Sequence, residues 1–204
     1  MQPELKYPPF GLKLSDDFVT LKIVEDSDLA FMCAVTEEDI FEPNCPWVFP
    51  WLQENSDTAQ FHWSLRANNK ASNWTLSFAA YVAGEYVGTI DMRAVNFAEK
   101  RTIETGSYVL RKFQGQGIGK RMRTLVAAYA FEHLGARELR TAWHPLNLAS
   151  AGVSKTLGYR VVGRTEFGEN DRPEVHARLA PEDFVGGSVQ VSGHTDALVE
   201  FLGA

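Results

Sequence analysis

The chain has 204 residues, 45% of them hydrophobic and 23% charged, with a formal net charge of −6 at pH 7. This length suits one domain with a sizeable core, and the acidic balance argues against general nucleic-acid binding, which needs a basic footprint. No apolar run approaches a membrane span, the first six residues lack a signal peptide's apolar core, and Cys33 and Cys45 form no metal-spaced cluster. A cytoplasmic protein with two reduced thiols and no metal centre is the expectation.

Residues 1–17 hold several prolines and read as a surface lead-in. Residues 18–24 alternate and are β-branched, which predicts the first strand. Asp26 or Ser27 is placed to cap a helix reaching about Thr36. An aromatic, proline-rich connection follows over 41–52, and Ser56 or Asp57 is placed to cap a helix through about Asn68. Strands are predicted over 74–82 and 86–94, joined by Ala83-Gly84-Glu85, and over 101–110, forming an antiparallel meander.

A long helix is predicted over 120–134, because Met122, Leu125, Val126, Tyr129, Ala130 and Leu134 recur at about 3.6-residue spacing. Gly135 is placed to stop it. A strand over 137–143, a short helix over 149–157 and strands over 159–163 and 175–179 complete an α+β domain spanning 1–185. Its sheet is expected to be mixed but mostly antiparallel, flanked by helices. Gly186-Gly187-Ser188 reads as a break before a tail over 186–204, in which Thr195 is placed to cap a short helix. That tail is able to fold back on the domain or to pair with a second subunit, so a homodimer is compatible with it.

The chemistry concentrates between the meander and the long helix. Gly115, Gly117 and Gly119 let successive N–H groups turn toward one point at the positive end of a helix, a nest for an anion such as phosphate. Lys112, Lys120, Arg121 and Arg123 add positive charge around it. Neither a Walker loop nor a dinucleotide fingerprint fits: Gly119-Lys120 is followed by Arg121, and Lys120 stands where the third fingerprint glycine belongs.

Gln114-Gly115-Gln116-Gly117-Ile118-Gly119 matches the pattern Q/R-x-x-G-x-G/A and resembles the acyl-CoA pyrophosphate loop of the GNAT superfamily of N-acyltransferases. Glu104-Thr105-Gly106-Ser107-Tyr108 precedes this loop, and Ala130 to Ala136, Asn147-Leu148-Ala149-Ser150 and Lys155-Thr156-Leu157-Gly158-Tyr159 come after it, all in the expected order. Together they look like the ribosomal-protein-alanine-acetyltransferase (RimJ/RimL) branch, over roughly residues 18–184.

The resemblance implies the GNAT fold and transfer of an acyl group from acetyl-CoA to a primary amine: a protein N-terminus, a lysine or a small molecule. Succinyl-CoA is the alternative donor, since 104–108 with 114–122 looks like actinobacterial members described as succinyl-CoA transferases. A non-catalytic acyl-CoA-binding module is the reading from a different class. By resemblance, residues 114–119 and Lys120 bind phosphate, with Arg111 and Lys112 near by. Tyr108, Val109 and Leu110 offer backbone groups to the pantetheine arm, and Asn147 contacts that arm. Ser150 lies near the departing sulfur. Ser154 stands where many members carry a tyrosine, and Val162 where this branch often carries a glutamate. Glu104 is the implied general base, with Asp91 and His62 as rivals. Phe49, Trp51, His62, Trp63 and Trp74 are the implied walls of the acceptor pocket.

Overall fold

The computed structural model describes residues 7–48, 57–168 and 172–204. Strands β1 (Lys13–Ser15), β2 (Thr20–Ile23), β3 (Asn73–Val82), β4 (Glu85–Val95), β5 (Thr102–Val109), β6 (Glu138–Trp143), β7 (Arg160–Thr165), β8 (Glu174–Leu179) and β9 (Gln190–Ser192) form one sheet. Their order is β7-β8-β6-β5-β4-β3-β2-β1-β9, and among the described residues only β5 and β6 run parallel. Helices are α1 (Asp26–Met32), α2 (Thr58–Asn68), α3 (Phe97–Lys100), α4 (Ile118–Glu132), α5 (Leu148–Thr156) and α6 (Asp196–Leu202). This is the expected α+β arrangement.

Strand alternation divides the interior into two layers. Trp74, Leu76, Phe78 and Ala80 of β3 join Met122, Leu125, Val126 and Tyr129 of α4 in the main core. Burying each large apolar side chain there contributes about 1.5–3 kcal/mol. On the other face Ala79 and Tyr86 meet Val24, Leu29 and Met32 under α1. Between β3 and β4 the register slips near Ala80, and Gly88 takes φ 152. A Cβ on Gly88 would lie 2.2 Å from the Tyr108 carbonyl oxygen, so β4 and β5 approach this closely only with glycine there.

Several boundaries differ from the sequence reading. The lead-in contains β1, with Leu12 and Leu14 fully buried. Helix α1 ends at Met32 rather than near Thr36, because Thr36 and Asp39 cap a new 3-10 turn, the Asp39 carboxylate accepting from the Thr36 N–H at 2.9 Å. The N-cap of α1 is Glu25, whose N–H donates to the Asp28 carboxylate at 2.8 Å. Helix α4 opens at Ile118, two residues early, from Gly117 as its cap. Residues 186–204 fold back on the domain, one of the courses open to them, and Thr195 caps the short helix α6. Strand β9 pairs with β1, Leu198 and Leu202 are fully buried in the main core, and the Trp74 indole N–H donates to the Leu202 carbonyl at 2.9 Å.

Candidate active site

The parallel pair β5–β6 lasts only from Thr102–Glu138 to Glu104–Arg140. Beyond that point β5 stays with β4 and β6 with β8, so the two strands part. Thr105 and Thr141 close the apex: the Thr105 hydroxyl donates to the Arg140 carbonyl at 3.3 Å and the Thr141 hydroxyl to the Thr105 carbonyl at 3.1 Å. The slot that opens is continuous with a cleft of about 1830 Å³, enough for an extended ligand rather than a small anion alone.

At the mouth of this slot the glycine-rich loop turns into α4. Gly115 and Gly117 take φ 75 and 78, values open to glycine at no steric cost, and no side chain caps the helix. The Arg121 N–H donates to the Gly117 carbonyl, so the N–H groups just before it are left for a ligand. Lys120 lines the cleft with no acidic partner among the described residues. The other expected cations are engaged elsewhere. Arg121 pairs with Asp16 at 2.8 Å and Asp17 at 2.7 Å, Lys112 with Glu85 at 2.6 Å, and Arg111 with Glu42 at 3.5 Å.

Gln114 lines the cleft, yet its amide N–H groups donate to the Ile40 and Val109 carbonyls at 2.8 Å, pinning the loop to the 40–47 connection. The Gln116 side chain donates to the Lys112 carbonyl at 3.2 Å, outside the cleft lining. Gly115, Gly117, Ile118, Gly119, Tyr108 and Val109 all line it. Leu110 does not; it packs with Ile40, Phe41 and Val48.

On the opposite lip Asn147 caps α5, its side-chain oxygen accepting from the Ser150 N–H at 3.0 Å. Both residues line the cleft. Ser154, one turn on, is 1% exposed and accepts from Arg123 at 2.7 Å instead of reaching the cleft. Trp47 stacks on His144 at 5.3 Å, bridging the 40–47 connection to the segment before α5.

Past the apex the cleft floor is a charged bed. Asp91 stands opposite Gly106, and Arg93 opposite Glu104, with an Arg93–Glu104 ion pair of 2.6 Å. Glu138 holds Arg140 at 2.6 Å and Arg178 at 3.6 Å. Burial pushes the Asp91 carboxyl up to about 6, although the Ser77 hydroxyl donates to it. Tyr108 and Tyr86 share a hydroxyl contact of 2.7 Å, and burial raises both phenols.

Three expected walls lie elsewhere. Burial holds His62 neutral, its imidazole lowered to about 4, and it faces Tyr7 and Arg66 beneath α2. Trp63 points outward, its indole N–H donating to Asp26 at 3.1 Å. Trp74 is a core residue, 1% exposed. The residues of α2 that do line the cleft are Phe61 and Leu65, one turn apart. Phe49 and Trp51 lie outside the described residues. Sequence reasoning missed Glu138, Arg140, Arg178 and His176; the signal was present as charged positions alternating with Leu139, Thr141, Ala177 and Leu179 along two strands.

A slot between diverging strands, entered beside an uncapped helix N-terminus, has room for an elongated ligand with an anionic end. The model of the acetyltransferase (GNAT) domain matches residues 19–160, and the chain belongs to this family. It is an acyl-CoA-dependent N-acetyltransferase. RimJ of Mycobacterium smegmatis in complex with CoA-disulfide superposes with a TM-score of 0.67 at 18% identity, covering 90% of this chain and 90% of that one. A GNAT-family acetyltransferase from Bacillus anthracis gives 0.65 at 16% identity over 83% of this chain and 99% of that one. A mutant of the spermidine N-acetyltransferase SpeG from Vibrio cholerae gives 0.61 at 16%, over 81% and 95%. These likenesses carry the fold. No helix among the described residues is long and apolar enough to cross a membrane, and none of them form a group of three metal-ligating side chains.

Proposed function

We propose that the chain acetylates a primary amine that lies over the bed between β4, β5 and β6, with Asp91 rather than Glu104 taking the ammonium proton. The observation that carries this is the contrast between the two carboxylates. Burial pushes the Asp91 carboxyl up to about 6, close to working pH, where a general base is most effective. Glu104 is committed to the Arg93 guanidinium at 2.6 Å. The ammonium ion must lose a proton before its nitrogen attacks the thioester carbon, and Asp91 lines the cleft on the strand next to the slot.

In this reading the loop 114–119 and Lys120 hold the pyrophosphate, the free edge of β5 from Gly106 to Val109 aligns the pantetheine arm, and Asn147 with Ser150 borders it. Positioning supplies most of the rate, since amine and thioester are held together out of bulk water. The acceptor bed carries both signs of charge: Glu104, Glu138 and Asp91 against Arg93, Arg140 and Arg178. Phe61 and Leu65 add an apolar wall. An amine set in a peptide-like environment, with polar and apolar parts, fits this lining better than an all-cationic polyamine.

The test is the pH dependence of kcat/KM for acceptor-dependent CoA release, measured with a panel of N-terminal peptides and small amines. An ascending limb near pH 6 is expected, with Asp91→Asn lowering kcat/KM roughly a hundredfold to ten-thousandfold and abolishing that limb. Glu104→Gln retaining the limb supports the assignment; Glu104→Gln abolishing it while Asp91→Asn spares it returns the role to Glu104.

A further inference from the structure

Arg123 sits on α4 one turn past the glycine-rich loop and is 6% exposed. Its Nη1 donates to the Ser154 hydroxyl at 2.7 Å and its Nη2 to the Thr141 hydroxyl at 2.6 Å. The guanidinium lies 5.9 Å from the centre of the Tyr159 ring. Its Nε has no hydrogen-bond partner. Both acceptors are neutral, and no carboxylate among the described residues forms an ion pair with it.

Such a group is strongly disfavoured in a protein interior: a buried cation normally has a carboxylate, and an apolar side chain of similar volume normally suits the place better. Burial accordingly pulls the Arg123 guanidinium below the usual arginine range, and among the ionisable groups packed against it from β5, β6, α5 and the turn before β7, the Tyr159 phenol is the one whose charge bears on it. Yet Arg123 is not sealed off. It shares the cleft wall with Ile118, Gly119, Thr141, Ser150 and Val153, beneath the apex where β5 and β6 part. A charge with no acidic partner among the described residues, on the wall of a cleft roomy enough for an elongated ligand, calls for an anion from that ligand.

We propose that Arg123 is the anion-facing residue of the cleft, its charge completed by an anionic group at the reactive end of the acyl-CoA. This rests on the acyltransferase reading above. Two groups have that chemistry. In the transfer, after Asp91 has passed the ammonium proton on to solvent, the neutral amine nitrogen bonds to the acyl carbon, the carbon–sulfur bond breaks with its electron pair passing to sulfur, and the nitrogen's second proton passes to the freed Asp91 carboxylate; negative charge thus appears on the leaving sulfur. A dicarboxylic acyl chain would instead bring a permanent carboxylate. Ser154 and Thr141 hold the guanidinium in either case, and through Ser154 it also fixes α5, which carries Ser150 one turn earlier.

The experiment is calorimetric binding without turnover, in two arms. The first compares CoA with desulfo-CoA, which lacks the thiol, across the thiol's titration around pH 8.5. The second compares succinyl-CoA with butyryl-CoA, which lacks the terminal carboxylate. Wild type is expected to prefer the anionic member of at least one pair on the order of tenfold, as for a charge-assisted contact. Arg123→Met should lose that preference while keeping its affinity for the neutral member, and should melt no lower than wild type. Arg123→Gln, which keeps a donor for Ser154 or Thr141, separates charge from hydrogen bonding and carries the test should Arg123→Met not fold. A preference in the first arm assigns the thiolate, and one in the second the carboxylate and a dicarboxylic donor. Neutral and anionic members binding alike in wild type, or a preference surviving in both variants, overturns the proposal. Binding of none of the four ligands overturns the acyltransferase reading with it.

Discussion

Asp91 and Glu104 are carboxylates on one face of adjacent strands, and their surroundings give them different chemistry. Asp91 gains a hydroxyl from Ser77 and loses water; Glu104 keeps half its side-chain exposure, 49%, and a guanidinium. The raised carboxyl of Asp91 has a consequence for stability. A folded-state value of about 6 lies above the unfolded value, so the folded chain binds the proton more tightly. Stability is therefore undiminished below the unfolded value near 4 and falls as pH rises through about 6. Asp91→Asn, whose side-chain oxygen still accepts from Ser77, is expected to raise Tm at pH 8 and to match wild type near pH 4; equal Tm shifts at both pH values would break the linkage. A variant that is more stable yet nearly inactive is the signature of a group kept for its reaction. At this scale the sequence was least legible. Whether His62 or Phe61 faces the cleft depends on the rotation of α2 about its axis, and five consecutive residues with three aromatics do not fix that phase.

The loop and the strand pair beside it are the elements that make the site. The glycine spacing was readable because the positive φ of Gly115 and Gly117 leaves few other residue types there, and because Gly117 precedes a helix with a clear apolar stripe. The boundary error at α4 follows from the same residue: with glycine as cap, no Ser, Thr, Asp or Asn marks the start. Gly117→Ala has room for its Cβ but not the backbone angle, φ 78. It is expected to cost about 1 kcal/mol in stability and to raise KM for the acyl-CoA several-fold with kcat little changed, as steady-state kinetics at varied donor would read. An unchanged KM would separate the loop from phosphate binding. The parting of β5 from β6, by contrast, was implied only by the family resemblance and had no signal in the residues themselves. Both strands read as ordinary alternating segments, and which neighbour each keeps is decided by the packing of α4, α5 and β8 around them.

Across the whole molecule, the sheet is closed at one edge by segments from opposite ends of the described chain. The mixed sheet and its meander were legible from alternation and turn residues. The last turn of that logic was not. Residues 186–204 look detachable after two glycines, but Leu198 and Leu202 are fully buried and Trp74 depends on the Leu202 carbonyl. Removing residues 187–204 would strip two buried leucines, worth about 1.5–3 kcal/mol each, and leave a buried indole N–H unpaired at a further ~1–3 kcal/mol. The truncated chain is expected to melt well below the full one or to aggregate on expression, and a melting curve within a degree or two of full length would contradict this placement of the tail.

The pairing of Leu14 with Val191 also bears on how the protein is made. On the ribosome β1 is synthesised well before β9, and its outer edge has no partner until β9 emerges. Throughout that interval the nascent chain presents an open strand edge next to an unfilled apolar recess around Trp74, the kind of surface that recruits other chains. Pausing or premature termination before β9 is made would release an adhesive product, so yield of soluble protein should respond to chaperone supply and translation speed more than to substitutions around the cleft.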